Sequence, residues 1–216
     1  MSSKALKIDI ISDVVCPWCV IGYGRLKRAL TDFGDDLNVN IQWHPFELNP
    51  NMPDYGENLR EHLAKKYGTS KEDSIRARAM LTEEGKKIGF QFNFFDEMRI
   101  FNTHDCHQLL LCTESSDLQT ELAEALFRHY FSDQGTFELA SLVKIANEAD
   151  LAANEARQLL EEQTLSAQVR EIEKNWHHQG INAVPLFVFN NSHALSGAQE
   201  VDTFKNLIAS IIKKAP

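Results

Sequence analysis

An apolar run, Ile8-Asp9-Ile10-Ile11, leads within five residues into Cys16-Pro17-Trp18-Cys19, and the pattern beyond it turns helical. A short, nearly continuous apolar segment of this kind predicts a strand over 7–12 that is buried on both faces. Such a strand needs covering layers on either side, which points to an α/β architecture. From Cys16 to Phe33, Leu26, Leu30 and Phe33 keep one stripe and Gly34 supplies a stop, so the spacing predicts a helix. The next segment, Val39-Asn40-Ile41-Gln42-Trp43-His44, alternates apolar and polar residues and reads as a strand that Pro45 ends. A strand–helix–strand unit is expected to be parallel and right-handed. The two thiols then lie at the carboxyl end of the first strand, where open α/β sheets place their sites.

A helix start carries unpaired backbone N–H groups and the positive end of the helix dipole, and both favour a thiolate. Pro17 suits the first helical position because it has no N–H to leave unpaired. Cys16 is therefore the expected nucleophile and the more exposed thiol. Cys19, one turn inward, is the expected resolving thiol. Half a zinc site and two unrelated core cysteines are the competing readings. The zinc reading needs a second close pair, and the remaining cysteines, Cys106 and Cys112, are six positions apart. On one helix they would sit about 9 Å apart along the axis, too far to bridge.

Composition narrows the class. The 216 residues are 43% hydrophobic and 25% charged, with a net charge of −9, as in a globular chain. The negative balance argues against nucleic acid or an anionic membrane as partner. No apolar run has transmembrane length, and no signal-peptide core precedes the first strand, so the expected location is cytoplasmic. In a reducing compartment a close cysteine pair points to catalysis or metal binding rather than to a structural bridge.

From about residue 56 to 179 the periodicity is helical. Gly68 and Gly89 act as stops, Ser70 as a cap, Ser116 with Gln119 as a capping box, and Thr103 and Thr136 as further caps. Strand texture returns at Pro185-Leu186-Phe187-Val188-Phe189. The turn Asn190-Asn191-Ser192 leads to a second strand over 193–196, and a helix runs from Gln199 to Lys214. This order is that of a thioredoxin-type sheet split by helices. The expected architecture is α/β, a thioredoxin-like fold with a large helical insertion. Residues 1–50 and 166–216 form the thioredoxin-like part and 51–165 the insertion.

If 186–189 lies beside the first strand, Pro185 falls at a sheet end near Cys16. A proline there leaves the preceding backbone free to pair with an extended substrate. The aromatic run Phe90, Phe92, Phe94, Phe95 reads as core filling ahead of a groove over the cysteines. His104, Cys106 and His107 complete no metal-ligand spacing, so no metal is expected. His104 reads as a hydrogen-bonding surface group, and His177-His178 as helix-end cations.

Several segments recur together in order: Ser12-Asp13-Val14-Val15 before the cysteine pair, Phe46-Glu47-Leu48-Asn49-Pro50, Phe101-Asn102-Thr103-His104, Val184-Pro185-Leu186-Phe187-Val188, and Ser196-Gly197-Ala198-Gln199. On these the chain resembles DsbA-family thioredoxin-fold proteins of the FrnE-like branch, which are similar to 2-hydroxychromene-2-carboxylate isomerases and kappa-class glutathione transferases. The resemblance implies a cis bond at Pro185, Cys16 as nucleophile, Cys19 as resolving thiol, and Val184 as a backbone contact for peptide or glutathione. Trp18, Pro185 and Ser196 join the implied substrate site. The isomerases and transferases typically carry serine at the first cysteine position. Both cysteines here point instead to a thiol–disulfide oxidoreductase acting on protein disulfides or dithiols or on glutathione. No tightly bound cofactor is expected, glutathione is a possible co-substrate, and the assembly is a monomer or homodimer. A glutathione-dependent isomerase or transferase of an aromatic molecule is the alternative, and a redox-sensing or peptide-binding module without turnover is a third.

Overall fold

The two faces of the first strand set the layering. A computed structural model describes residues 4–113 and 115–214, the side chains of Asp35 and Lys214 excepted. Strand β1 (Lys4–Ser12) starts three residues earlier than the apolar run suggested, and Ile8, Ile10 and Ile11 are fully buried. Helix α1 (Pro17–Thr31) follows, then a 3-10 turn over Gly34–Asp36 and strand β2 (Leu37–Pro45). β2 runs parallel to β1, from Lys4 opposite Leu37 to Ser12 opposite Pro45. Strand β5 (Leu186–Phe189) lies antiparallel on the other side of β1, and β6 (His193–Ser196) closes the sheet in the order β2-β1-β5-β6. The β5–β6 turn has positive φ at both Asn190 and Asn191, the conformation that matches hairpin twist and that asparagine tolerates. Helix α9 (Val201–Lys214) packs beside α1. Phe204 meets Phe187 edge-on at 5.0 Å, which anchors α9 to the sheet.

Between β2 and β5 the chain is mainly helical: α2 (Leu59–Tyr67), α3 (Lys71–Ile88), α4 (His104–Leu111), α5 (Ser116–Phe131), α6 (Leu139–Glu148), α7 (Ala153–Glu161) and α8 (Ser166–His178). The architecture is a thioredoxin-like α/β fold with helices inserted into it. The inserted stretch also contains a two-residue ribbon, β3 (Glu57–Asn58) with β4 (Arg99–Ile100), which is too short to show an alternating pattern in sequence. Helices α4, α5 and α8 pack on β2, so the insertion shares its core with the sheet.

Capping differs from the sequence reading at several ends. Ser70 caps α3 through Asp73 N–H as expected. The α5 cap is Ser115 rather than Ser116, and its hydroxyl accepts from Leu118 N–H. Gln119 completes no capping box. It is buried and turned to the sheet, accepting from Trp43 N–H (2.7 Å) and donating to Leu110 O (2.9 Å). Thr103 makes no side-chain cap, and Asn102 Oδ1 receives His104 N–H instead. Thr136 lies outside α6, whose N-cap is Glu138. Capping depends on one residue's φ and ψ, which a pattern of polar residues fixes only to within a position or two.

Candidate active site

The end of β1 turns tightly into α1. Asp13 O accepts from Cys16 N–H (3.0 Å), and Cys16 O accepts from Cys19 N–H (3.0 Å). Cys16 is the N-cap of α1 with extended backbone, and Pro17 opens the helix. Cys16 and Cys19 are both free thiols. Cys16 was expected to be the more exposed of the two thiols. It is the more accessible of the two, yet it is still buried, at 5% exposure against 0% for Cys19. Its cover includes the Val184–Pro185 segment: the Cys16 thiol lies 3.8 Å from Val184 O, within reach of an S–H donor.

The Val184–Pro185 peptide bond is cis. Pro185 O accepts from Gly197 N–H (2.8 Å), and Leu186, the first residue of β5, pairs with both Ile11 and Ser196. Helix α1 comes close to this segment because residue 22 is glycine. A Cβ there would sit 3.0 Å from the Phe187 ring and 3.2 Å from Pro185 Cγ. The sheet thus brings Cys16, Cys19, Val184 and Pro185 together. Trp18 sits at the start of α1, 37% exposed. Ser196 is exposed on β6, one strand further from β1, and its carbonyl accepts from Gln199 Nε2 (2.7 Å). The loop after it is held to α1 by buried Arg25, which donates to Ala198 O (2.5 Å) and pairs with Glu84 and Glu200.

Burial pushes the Cys19 thiol well above its ordinary value, and the neighbouring Cys16 pushes it the same way, while the Ser12 hydroxyl and the Asp13 backbone oppose this. Burial also raises Cys106, and Cys112 to about 11. Both are free thiols outside the cysteine-pair turn.

Behind the pair lies a buried polar cluster that sequence reasoning assigned no role. The Asp13 carboxylate accepts from Leu48 N–H (2.7 Å) and Val15 N–H (3.4 Å), tying the β1 end to the segment after β2. His107 Nε2 stands 3.8 Å from Asp13 Oδ1, and neither ring nitrogen has a hydrogen-bond partner among the described residues. Burial pulls His107 down, but Asp13 first and then Glu173 and Glu47 outweigh it, so its net shift is upward. His104, expected at the surface, is buried, with Nδ1 on Glu47 Oε1 and Nε2 on Ser166 Oγ, both at 2.8 Å. Glu173 Oε1 accepts from Glu47 N–H (2.6 Å), and burial together with the Glu47 charge raises its carboxyl. Glu173 follows Val169 by four residues and precedes Trp176 by three. That places it on the apolar stripe of α8, a signal that was readable. The Phe92 and Phe94 rings stack at 5.5 Å and abut Phe131, which makes the aromatic run core filling between α3 and α5.

A family model for the DSBA-like thioredoxin domain matches residues 7–209. The chain belongs to this family. A curated relative, the uncharacterized protein YwbO of Bacillus subtilis (strain 168), is 26% identical over 215 residues, covering 96% of this chain and 98% of that one. A probable DsbA oxidoreductase from Streptomyces coelicolor superposes with a TM-score of 0.89 at 27% identity, over 98% of this chain and 92% of that one. The cytosolic disulfide reductase DsbM from Pseudomonas aeruginosa, solved with GSH, shares the fold with a TM-score of 0.64 at 14% identity, over 96% and 99% of the two chains. No helix among the described residues is long and apolar enough to cross a membrane.

Proposed function

We propose that the protein is a cytoplasmic thiol–disulfide oxidoreductase with Cys16 as nucleophile and Cys19 as resolving thiol. The observation that carries this is the placement of both free thiols in one turn, with the Cys16 sulfur at the start of α1 and 3.8 Å from the Val184 carbonyl. The Cys16 thiolate attacks one sulfur of a substrate disulfide. The substrate S–S bond breaks, and the departing sulfur leaves as a thiolate that takes up a proton. Cys19, having lost its proton, then attacks the Cys16 sulfur of the mixed disulfide. This releases the second substrate thiol and forms the Cys16–Cys19 disulfide, which two equivalents of a thiol such as glutathione reduce again. Run backwards, the same steps oxidise a substrate dithiol. The Val184 backbone and Pro185 border the sulfur, so an extended peptide or glutathione lies along them, with Trp18 and Ser196 flanking. The Streptomyces coelicolor neighbour supports the oxidoreductase reading, and the structure of DsbM with GSH supports glutathione as a thiol partner.

The Cys19→Ser variant should accumulate a mixed disulfide at Cys16, seen as a mass adduct with glutathione or a substrate peptide. Reduction of a model disulfide by glutathione should fall by about 100-fold or more in Cys16→Ser. Full turnover by Cys19→Ser on an aromatic glutathione conjugate, with no adduct at Cys16, would overturn the assignment in favour of an isomerase or transferase.

A further inference from the structure

Strand β2 forms one edge of the sheet, and that edge is open near its start. Asn190 N–H donates to Lys7 O, so the odd-numbered residues of β1 turn to β5 and the even-numbered ones to β2. Ile8 stands opposite Ile41 in a parallel ladder, so β1 engages the even-numbered residues of β2. Leu37, Val39, Ile41 and Trp43 therefore turn their backbone groups away from the sheet. At Trp43 those groups are taken. Gln119 Oε1 accepts from Trp43 N–H (2.7 Å) and Gln119 Nε2 donates to Trp43 O (3.3 Å), as the peptide groups of a further strand would. Leu37 N–H is taken by Gly34 O. The N–H and C=O groups of Val39 and Ile41 have no hydrogen-bond partner among the described residues.

Val39 and Ile41 also line a cavity of about 620 Å³ between β2, α1 and the first turns of α5. Its α5 wall carries Asp117, Glu121 and Glu124, and Lys27 of α1 pairs with Glu124 at 2.8 Å. Asp117 and Glu121 are exposed and have no ion pair among the described residues, which leaves this wall negative. Exposed edge strands are usually blunted by lysine, proline or a bulge. From Leu37 to His44 there is no lysine and no proline, and the register with β1 runs unbroken from Leu37 to Pro45. The open backbone groups match an extended chain. The negative wall matches cationic side chains on alternate residues of that chain, since alternate residues share one face.

We infer that the β2 edge from Leu37 to Ile41 docks an extended segment of a partner protein, which adds as a strand and turns lysine or arginine toward Asp117 and Glu121. Two copies of this chain paired edge to edge would instead bring like charges to one seam. The docking edge lies at the far end of β2 from the dithiol. Leu37 pairs with Lys4, whereas Pro45 pairs with Ser12, just before the cysteine turn. A partner held there leaves Cys16 uncovered.

Fluorescence anisotropy of labelled, capped seven-residue peptides titrated with the full chain tests this. A peptide alternating lysine and valine should bind saturably, one to one. A peptide alternating glutamate and valine, and the lysine peptide with all its backbone nitrogens methylated, should each bind at least about tenfold more weakly. Val39→Pro should weaken the lysine peptide about tenfold or more. It removes an outward N–H and no bond of the β1–β2 ladder, so it suits an edge strand. The double variant Asp117→Asn, Glu121→Gln should weaken the same peptide about fivefold at low salt, and it keeps the test open if the proline variant unfolds. Absence of saturable binding, equal binding of the glutamate or the methylated peptide, or unchanged affinity in either folded variant would overturn the inference. So would a dimer in sedimentation that Val39→Pro dissociates, since a second copy would then hold this edge.

Discussion

Cys19 has no exposed surface, and burial with the neighbouring Cys16 holds its thiol protonated well beyond the usual range. In the proposed reaction this thiol must lose its proton before it can resolve a mixed disulfide. Resolution should therefore accelerate by about tenfold per pH unit through neutrality, because the thiolate fraction rises by that factor below a raised pKa. A stopped-flow measurement of adduct release between pH 6 and 9 checks this, and a flat profile would contradict it. The cysteine pair was plain in the sequence because it is local. Asp13, Glu47 and His107 were not, although Asp13 and Glu47 lie in recognisable segments. Their role depends on α4 and α8 bringing His107 and Glu173 against the end of β1, and no spacing along the chain shows that. His104 was misplaced for the same reason: its partners, Glu47 and Ser166, are 57 and 62 residues away.

At the scale of elements, close approaches between helices and loops decide which substitutions the fold accepts. Gly85 lies inside α3, where alanine would ordinarily gain about 1 kcal/mol in helix propensity. Its Cβ, however, would meet the Phe92 ring at 2.5 Å and the Phe90 carbonyl at 2.7 Å. A backbone oxygen cannot step aside as a flexible side chain can. Overpacking costs about 1–3 kcal/mol, so after the helix-propensity gain Gly85→Ala should lose up to about 2 kcal/mol net in urea unfolding. A gain in stability would show that the segment after α3 shifts freely. The strands and most helices were legible from period and stop residues. The β3–β4 ribbon and the exact caps were not, because two-residue strands and single-residue cap geometry leave too little pattern.

For the whole molecule, buried titrating groups set how stability follows pH. Burial raises the Asp9 carboxyl, but His44 and Lys7 outweigh it and hold the net value below the ordinary one, so its contribution is present above about pH 4 and is lost as pH falls through the lowered value. Glu173 and His107 are both shifted upward, so the folded chain binds more protons than the unfolded one. Stability therefore falls as pH rises from about 4.3 through the raised Glu173 value. The His107 contribution is complete below about pH 6.5 and is lost as pH rises through its raised value. From these groups the stability maximum should lie on the acid side of neutrality, near about pH 4. Glu173→Gln keeps the acceptor for Glu47 N–H and should flatten the decline above pH 4.3 in urea unfolding at stepped pH. An unchanged slope would remove Glu173 from this account.

By itself the sequence determined the thioredoxin-like order of elements, the dithiol at the start of α1 and the proline just before β5. Each of these rests on residues within one or two helical turns of each other, or on periodicity that a short window contains. Only the tertiary structure decided that Cys16 is nearly covered, that Val184 O lies beside its sulfur, and that acids and histidines from four separate segments share one buried cluster. Burial and charge balance are properties of what packs around a group, and those neighbours come from elements far apart in the chain.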